Sequence, residues 1–223
     1  MDWSYNTIWF DWIDPQKQVT IDFKKKETLL HISEREYLTT WYLNSKDNAF
    51  DLLPASDKLL YLQLNWSNIR DFQHVSMFPN LKRLELHYCT KLQSDRGLSE
   101  LGDSLEYLHI NQSKKLGNIS EISQLENLKV LRLNNCAPIE SLSFIGSLPN
   151  LIDLRFVGTE VLDGDLTPII EHPSLRSAGF SDKRNLNYKT EKVSSILSLK
   201  GDDYKEFVFK GDFKTFRYNV TNG

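Results

Sequence analysis

Along the middle of the chain, apolar residues recur at a spacing that suits neither a long helix nor a long strand. In "LKVLRLNNCAPI", Leu128, Leu131 and Leu133 lie three and then two positions apart, Lys129, Arg132 and Asn134 are polar, and Cys136 follows. A helix places apolar residues about every 3.6 positions and a half-buried strand every second one, so this run holds one short strand that ends in a turn. The same order appears upstream in "LEYLHINQSKKL", "LKRLELHYCTKL" and "LLYLQLNWSNI", and downstream in "LIDLRFVGTEV" and the worn "LRSAGFSDK". The copies start at residues 59, 81, 105, 128, 151 and 175, in steps of 22 to 24 residues.

The shared frame is L-x-x-L-x-L-x-x-[N/C/S/T]-x-[L/I], filled in the fourth copy by Leu128, Leu131, Leu133, Cys136 and Ile139. It resembles the leucine-rich repeat family, whose repeats run about 20–29 residues, over roughly residues 59–182. The resemblance implies an α/β solenoid with a curved parallel sheet. The leucines of each x-L-x-L-x core would point inward and the residues between them outward on the concave side. One copy cannot bury its own leucines, so stacking has to complete the core. Between the strands, Phe72, Met77, Leu98, Leu101, Ile119, Ile122, Leu125, Leu142, Phe144, Ile145, Leu148, Leu166, Ile169 and Ile170 are expected mostly inward.

Cys89 and Cys136 fill the small turn position that Ser67, Ser113 and Thr159 fill elsewhere. A compact polar side chain there can bond backbone groups stranded in a dry core. Two repeats separate the cysteines by roughly 10 Å, at about 4.8 Å per strand, which is too far for a disulfide. Both are expected as buried thiols, and reduced cysteines suit a cytoplasmic address.

The flanks do not follow the frame. "IWFDWIDPQKQVTIDF" reads as two strands around a turn at Asp14-Pro15. "SEREYLTTWYL" carries a capping box, Ser33 with Glu36, ahead of Tyr37, Leu38, Trp41 and Tyr42 at helical spacing. Residues 1–58 are therefore expected to form a hairpin-plus-helix cap, residues 59–182 about six repeats, and residues 183–223 a second cap. In that second cap "YKTEKVSSILSL" reads as helix and "EFVFKGDFKTFRYNV" as a hairpin turning at Lys210-Gly211-Asp212. The basic–aromatic "FKGDFKTFRY" also matches a nucleic-acid strip, but alternation about a glycine turn favours a cap that covers the sheet edge.

The net charge of −3 on 223 residues points to neither nucleic acid nor a membrane surface. "MDWSYNTIWFDW" lacks the basic start of a signal peptide, and no apolar run approaches the roughly 20 residues of a membrane span. The chain carries no Gly-rich phosphate loop, H-E-x-x-H, paired C-x-x-C or G-x-S-x-G, so no enzyme activity and no cofactor are expected. His87 and His109 fall on neighbouring repeats, where they could meet a metal or a partner carboxylate; two histidines without a third nearby ligand rarely make a site, so no metal is expected and both read as solvated positions on a strand face.

The outward positions carry the functional information. Tyr61, Arg83, Tyr107, Val130, Asp153 and Ser177 form one column, and Gln63, Glu85, His109, Arg132, Arg155 and Gly179 the next. A third holds Asn65, His87, Asn111, Asn134, Val157 and Ser181, followed by Trp66, Tyr88, Gln112 and Asn135. Tyr, Trp and Arg are enriched at interface hot spots. Tyr61, Trp66, Arg83, Glu85, His87, Tyr88, Tyr107, His109, Arg132, Asn134 and Arg155 are accordingly expected to bind a partner protein, on positions that folding leaves free. The resemblance implies a non-catalytic binding module of the small bacterial kind. Some such proteins resemble immunity proteins that neutralise a toxin; an adaptor or phosphatase regulator is the alternative, and an enzyme or nucleic-acid binder using the His, Arg and Tyr of the same face is the competing class, for which the chain carries no motif.

Overall fold

In the computed structural model, the described residues are 2–25 and 32–201, together with the backbone of 204–210 and 213–218. Eight strands follow one another: β1 (Gln18–Asp22), β2 (Tyr37–Trp41), β3 (Tyr61–Asn65), β4 (Arg83–His87), β5 (Tyr107–Asn111), β6 (Val130–Asn134), β7 (Asp153–Arg155) and β8 (Ser177–Gly179). They form one sheet in chain order, every neighbouring pair parallel. Most repeats return through a short 3-10 turn, for example Leu98–Leu101 or Ser143–Ser147, and one through helix α1 (Thr167–Glu171). This is the solenoid that the leucine spacing predicts. Leu62, Leu84, Leu108, Leu131 and Leu154 pair across the strands in a single register, and all five are buried. The predicted connecting residues join the same core, with Met77, Ile119, Phe144 and Ile170 packed at its margin.

The turn position works as expected. Ser67 Oγ donates to Leu43 O, Ser113 Oγ to Cys89 O, and Thr159 Oγ1 to Leu133 O at 2.6 Å. Cys89 and Cys136 are free thiols whose Sγ atoms point at Leu64 O and Ile110 O; Cys89 is buried as expected, but Cys136 is only half-buried, at the margin of the core. Just ahead of the strands runs a second ladder that the leucine frame does not reveal. The side-chain amides of Asn80, Asn127 and Asn150 donate to the carbonyls of Asp57, Asp103 and Glu126 one repeat back.

The N-terminal expectation needs correction. Residues 37–41 are not helical; they form β2, paired with β1 and β3. No hairpin surrounds Asp14-Pro15. Asp14 caps a 3-10 turn over Pro15–Lys17, and only Gln18–Asp22 is a strand, parallel to β2. Two further repeats therefore precede residue 59, and the sheet runs on across residue 58. The physical reason is the open edge of β3, whose unpaired backbone groups outweigh a weak helical pattern carrying the β-branched pair Thr39-Thr40. These repeats escape the frame because Arg35, Thr40 and Leu43 stand where Leu59, Leu64 and Ser67 stand in the third.

At the other end, helix α2 (Thr190–Ser198) buries Val193 and Leu197. The strands β9 (Tyr204–Lys210) and β10 (Phe213–Tyr218) pair antiparallel, as the hairpin reading predicts. The turn residues Gly211 and Asp212 lie outside the described residues.

Candidate functional site

The concave face divides into a covered part and an open part. Residues 2–13 run across the first outward column. Trp3 and Phe10 pack against Tyr37, Phe10 also meets Tyr61 edge-on at 5.4 Å, and Ile8 and Ile13 complete a second apolar cluster. Gln18 Nε2 donates to the carbonyls of Phe10 and Ile13 and fixes the segment at its far end.

Arg83 is the centre of this arrangement. Its Nε donates to Glu85 Oε1 at 2.6 Å, Nη1 to the carbonyls of Trp3 and Tyr5, and Nη2 to Asn6 O at 3.1 Å. The same Nη2 also reaches Glu85 Oε1. A guanidinium has five N–H donors, and these partners account for all of them. Its plane lies over the Tyr107 ring, 3.6 Å from the centroid. One strand-pair further on, Arg132 bonds Asn6 Oδ1 and Asp153 Oδ2, and Arg155 Nε shares that same carboxylate oxygen at 3.1 Å. Tyr61, Arg83, Tyr107 and Arg132 are thus buried, Tyr107 to 1% exposure. Folding does not leave these positions free, contrary to expectation. The outward column gains a layer of its own from residues 2–13, which strand periodicity cannot show.

Burial alone would raise the Glu85 carboxyl, but Arg83 and the two histidines outweigh it and hold it well below the usual carboxylate range. Burial raises the Tyr61 and Tyr107 phenols, and the Tyr61 hydroxyl donates to Gln63 Oε1. It likewise pushes the Cys89 thiol up to about 12 and Cys136 up to about 11, which removes the thiolate that a nucleophile needs.

Of the predicted residues, Trp66, His87, Tyr88, His109, Asn134 and Arg155 stay at least partly open. Trp66 and Tyr88 are 45% and 41% exposed, and their rings stack in parallel with centroids 4.5 Å apart. Each sits one residue past its strand in the left-handed region, φ +57° and +58°, and so do Tyr42, Gln112 and Asn135 at equivalent positions. The backbone needs that turn: Trp66 N–H donates to His87 O, and Tyr88 N–H to Asn111 O. Tyr42, which carries Lys24 Nζ over its ring at 3.4 Å, extends the aromatic ridge beside exposed Trp41. Sequence reasoning named Trp66 and Tyr88 but missed Trp41 and Tyr42, because it placed them in a helix. Glu85 Oε2 faces both histidines, 3.1 Å from His87 Nε2 and 3.8 Å from His109 Nδ1, and so provides the third group that the histidine pair lacks in the sequence.

The class of molecule these features define is a leucine-rich repeat solenoid. Among solved structures, the chain is similar to the leucine-rich repeat domain of the type III effector XCV3220 (XopL), with a TM-score of 0.51 and 19% identity over 77% of this chain and 62% of that one. It is also similar to internalin C2 from Listeria monocytogenes, with a TM-score of 0.45 and 18% identity over 74% of this chain and 78% of that one. The shared property is the fold. No family model and no curated protein matches the chain. Among the described residues, no helix is long and apolar enough to cross a membrane.

Proposed function

We propose that the protein binds another protein, without chemistry of its own, through the aromatic ridge and the open part of the concave face. The observation that carries this reading is the residue choice at the left-handed turns. A bulky side chain at positive φ is an outlier that costs of order 1–3 kcal/mol. At the same position the chain can use Asn135 or Gly158, residue types that suit this conformation. It instead places Tyr42, Trp66 and Tyr88 there, with the Trp66–Tyr88 pair turned to solvent. Folding gains little from that choice. A partner gains a large apolar surface already held rigid by the strands, so little side-chain entropy is lost on docking.

Further along the concave face, His109 of β5, Asn134 of β6 and Arg155 of β7 supply polar specificity in this reading. Arg132 and Arg155 share one oxygen of Asp153, which fixes the charged row at the edge of the open part. Within this reading the chain acts by covering its partner. A cognate toxin is the partner class that the likeness to small bacterial repeat proteins suggests, and an adaptor or regulatory subunit is the alternative.

The test is capture of a partner from the native host followed by affinity measurement on the ridge. Trp66→Ala combined with Tyr88→Ala should weaken the complex by about 2 kcal/mol or more. Equal binding by the double variant would remove the ridge from the interface. Inhibition of the captured protein's activity by the wild-type chain would establish the blocking role, and unchanged activity would leave tethering.

A further inference from the structure

Glu85 and His87 are alternate residues of β4 and so share the concave face. His109 of β5 lies directly beside Glu85 in the sheet register. Two alternate positions and one cross-strand neighbour bring three side chains to a single point on a rigid surface. One ligand atom from each of the three lies within 4.8 Å of the others. The rings of His87 and His109 meet edge to face, with centroids 5.0 Å apart.

We propose that Glu85, His87 and His109 bind a divalent transition metal, Zn2+ being the best match to the donor set. Two imidazoles and one carboxylate with an open fourth position form one of the recurrent zinc donor sets. Zinc–ligand bonds of about 2.0–2.2 Å in tetrahedral geometry put ligand atoms roughly 3.3–3.5 Å apart. The separations of 3.1 Å and 3.8 Å from Glu85 Oε2 to the two histidines bracket that value. The third pair, between the two imidazoles, lies within 4.8 Å, so rotation of the histidine side chains toward each other would close the set.

The carboxylate is aimed before any metal arrives. Arg83 occupies Oε1, and the carbonyls of Trp3, Tyr5 and Asn6 hold Arg83 in turn, which leaves Oε2 for the histidines. Such outer contacts orient metal ligands and tune their affinity. The imidazoles keep some exposure, 20% for His87 and 14% for His109, so an ion can enter from the concave opening.

Two features work against tight binding and set its scale. Arg83 and Arg132 add positive charge nearby. Asn134 Oδ1 accepts from Val157 N–H at 3.0 Å, which turns the Asn134 amino group toward His109 Nε2, 3.3 Å away. That arrangement favours the proton on His109 Nδ1. A metal at Nδ1 moves this proton to Nε2, where it faces another donor. Asn134→Asp replaces the donor with an acceptor and should favour the metal-binding tautomer.

The inference is independent of the partner-binding reading, because metal binding is measured on the protein alone. Tag-free full-length chain is titrated with Zn2+ by calorimetry and with Co2+ by visible absorption. One ion per chain is expected, with the intense ligand-field bands of low-coordinate Co2+ and no thiolate charge-transfer band. His87→Gln with His109→Gln should abolish saturable binding while the protein still melts cooperatively. The Zn2+-induced rise in Tm should vanish with it. Asn134→Asp should tighten binding by roughly tenfold, the lower end of the outer-contact range. Unchanged binding in the double histidine variant, a Co2+ spectrum that stays that of the aqueous ion, or thiolate bands would each overturn the assignment.

Discussion

The two aromatic clusters of the concave side use the same residue types to opposite ends. Trp3, Phe10, Tyr37 and Tyr61 meet over the first strands, and Tyr37 and Tyr61 are buried there under residues 2–13. Trp66 and Tyr88, two strand ends away, stack on each other and remain exposed. Arginine divides in exposure: Arg83 is buried beneath residues 2–13, whereas Arg155, bonded to Asp153 and Ser177, stays half-buried at the open margin. Enrichment in Tyr, Trp and Arg therefore does not mark an interface by itself. What distinguishes the two regions is whether another part of the chain has already covered the surface.

The comparison can be broken most sharply at Arg83. Arg83→Met removes the buried cation and leaves Glu85 without its charge partner, and breaking a buried pair costs about 3–5 kcal/mol. Chemical denaturation should report that loss together with faster amide exchange over residues 2–13. A loss below 1 kcal/mol would show that the covered region does not depend on this arginine. Leu131→Ala serves as the core reference, since Leu131 of β6 is fully buried in the core outside both clusters. It should cost about 2–5 kcal/mol through the cavity it leaves, while residues 2–13 keep their protection in the remaining folded population.

A pH scan supplies a baseline that belongs to neither cluster. His172 is buried near α1, where Nε2 faces the carbonyls of Ile145 and Leu148 at 3.1 Å and Nδ1 accepts from Ser174 N–H. Burial lowers its pKa below the ordinary value, against the pull of those carbonyls. The unfolded chain thus binds this proton more readily than the folded one. Its contribution is complete above about pH 6.5, the unfolded value, and is lost as pH falls below it. Tm should begin to decline there, before the carboxylates titrate, and His172→Gln should flatten that portion of the curve. An unchanged slope in the variant would assign the decline elsewhere. The smallest effect is expected on the ridge. Trp66→Asn keeps a residue suited to the left-handed turn and removes one stacked ring, a contact worth about 0.5–1.5 kcal/mol. Denaturation should show a stability change below 1 kcal/mol, the lost stacking being offset by the relieved backbone strain. A larger loss would make the ridge a folding element like its covered counterpart.

The sequence by itself determined the repeat. Leu62, Leu84, Leu108, Leu131 and Leu154 recur at a step that only stacked strands can bury, and the compact turn residues Ser67, Cys89, Ser113, Cys136 and Thr159 mark where each strand ends. That signal is legible because each repeat imposes the same local burial on the same positions. It fades where the solenoid begins, since Arg35, Thr40 and Leu43 break the frame, and there the edge of β3 decided the structure through backbone pairing that no side-chain pattern encodes. The outward columns were equally legible as positions, but their fate was not. Whether Tyr61, Arg83 and Tyr107 face solvent depends on Trp3, Tyr5, Asn6 and Phe10, about 50 to 100 residues away in the chain. Periodicity reports which side of a strand a residue occupies. Only the tertiary structure decides what lies against that side, because the contact joins segments whose separation carries no repeat.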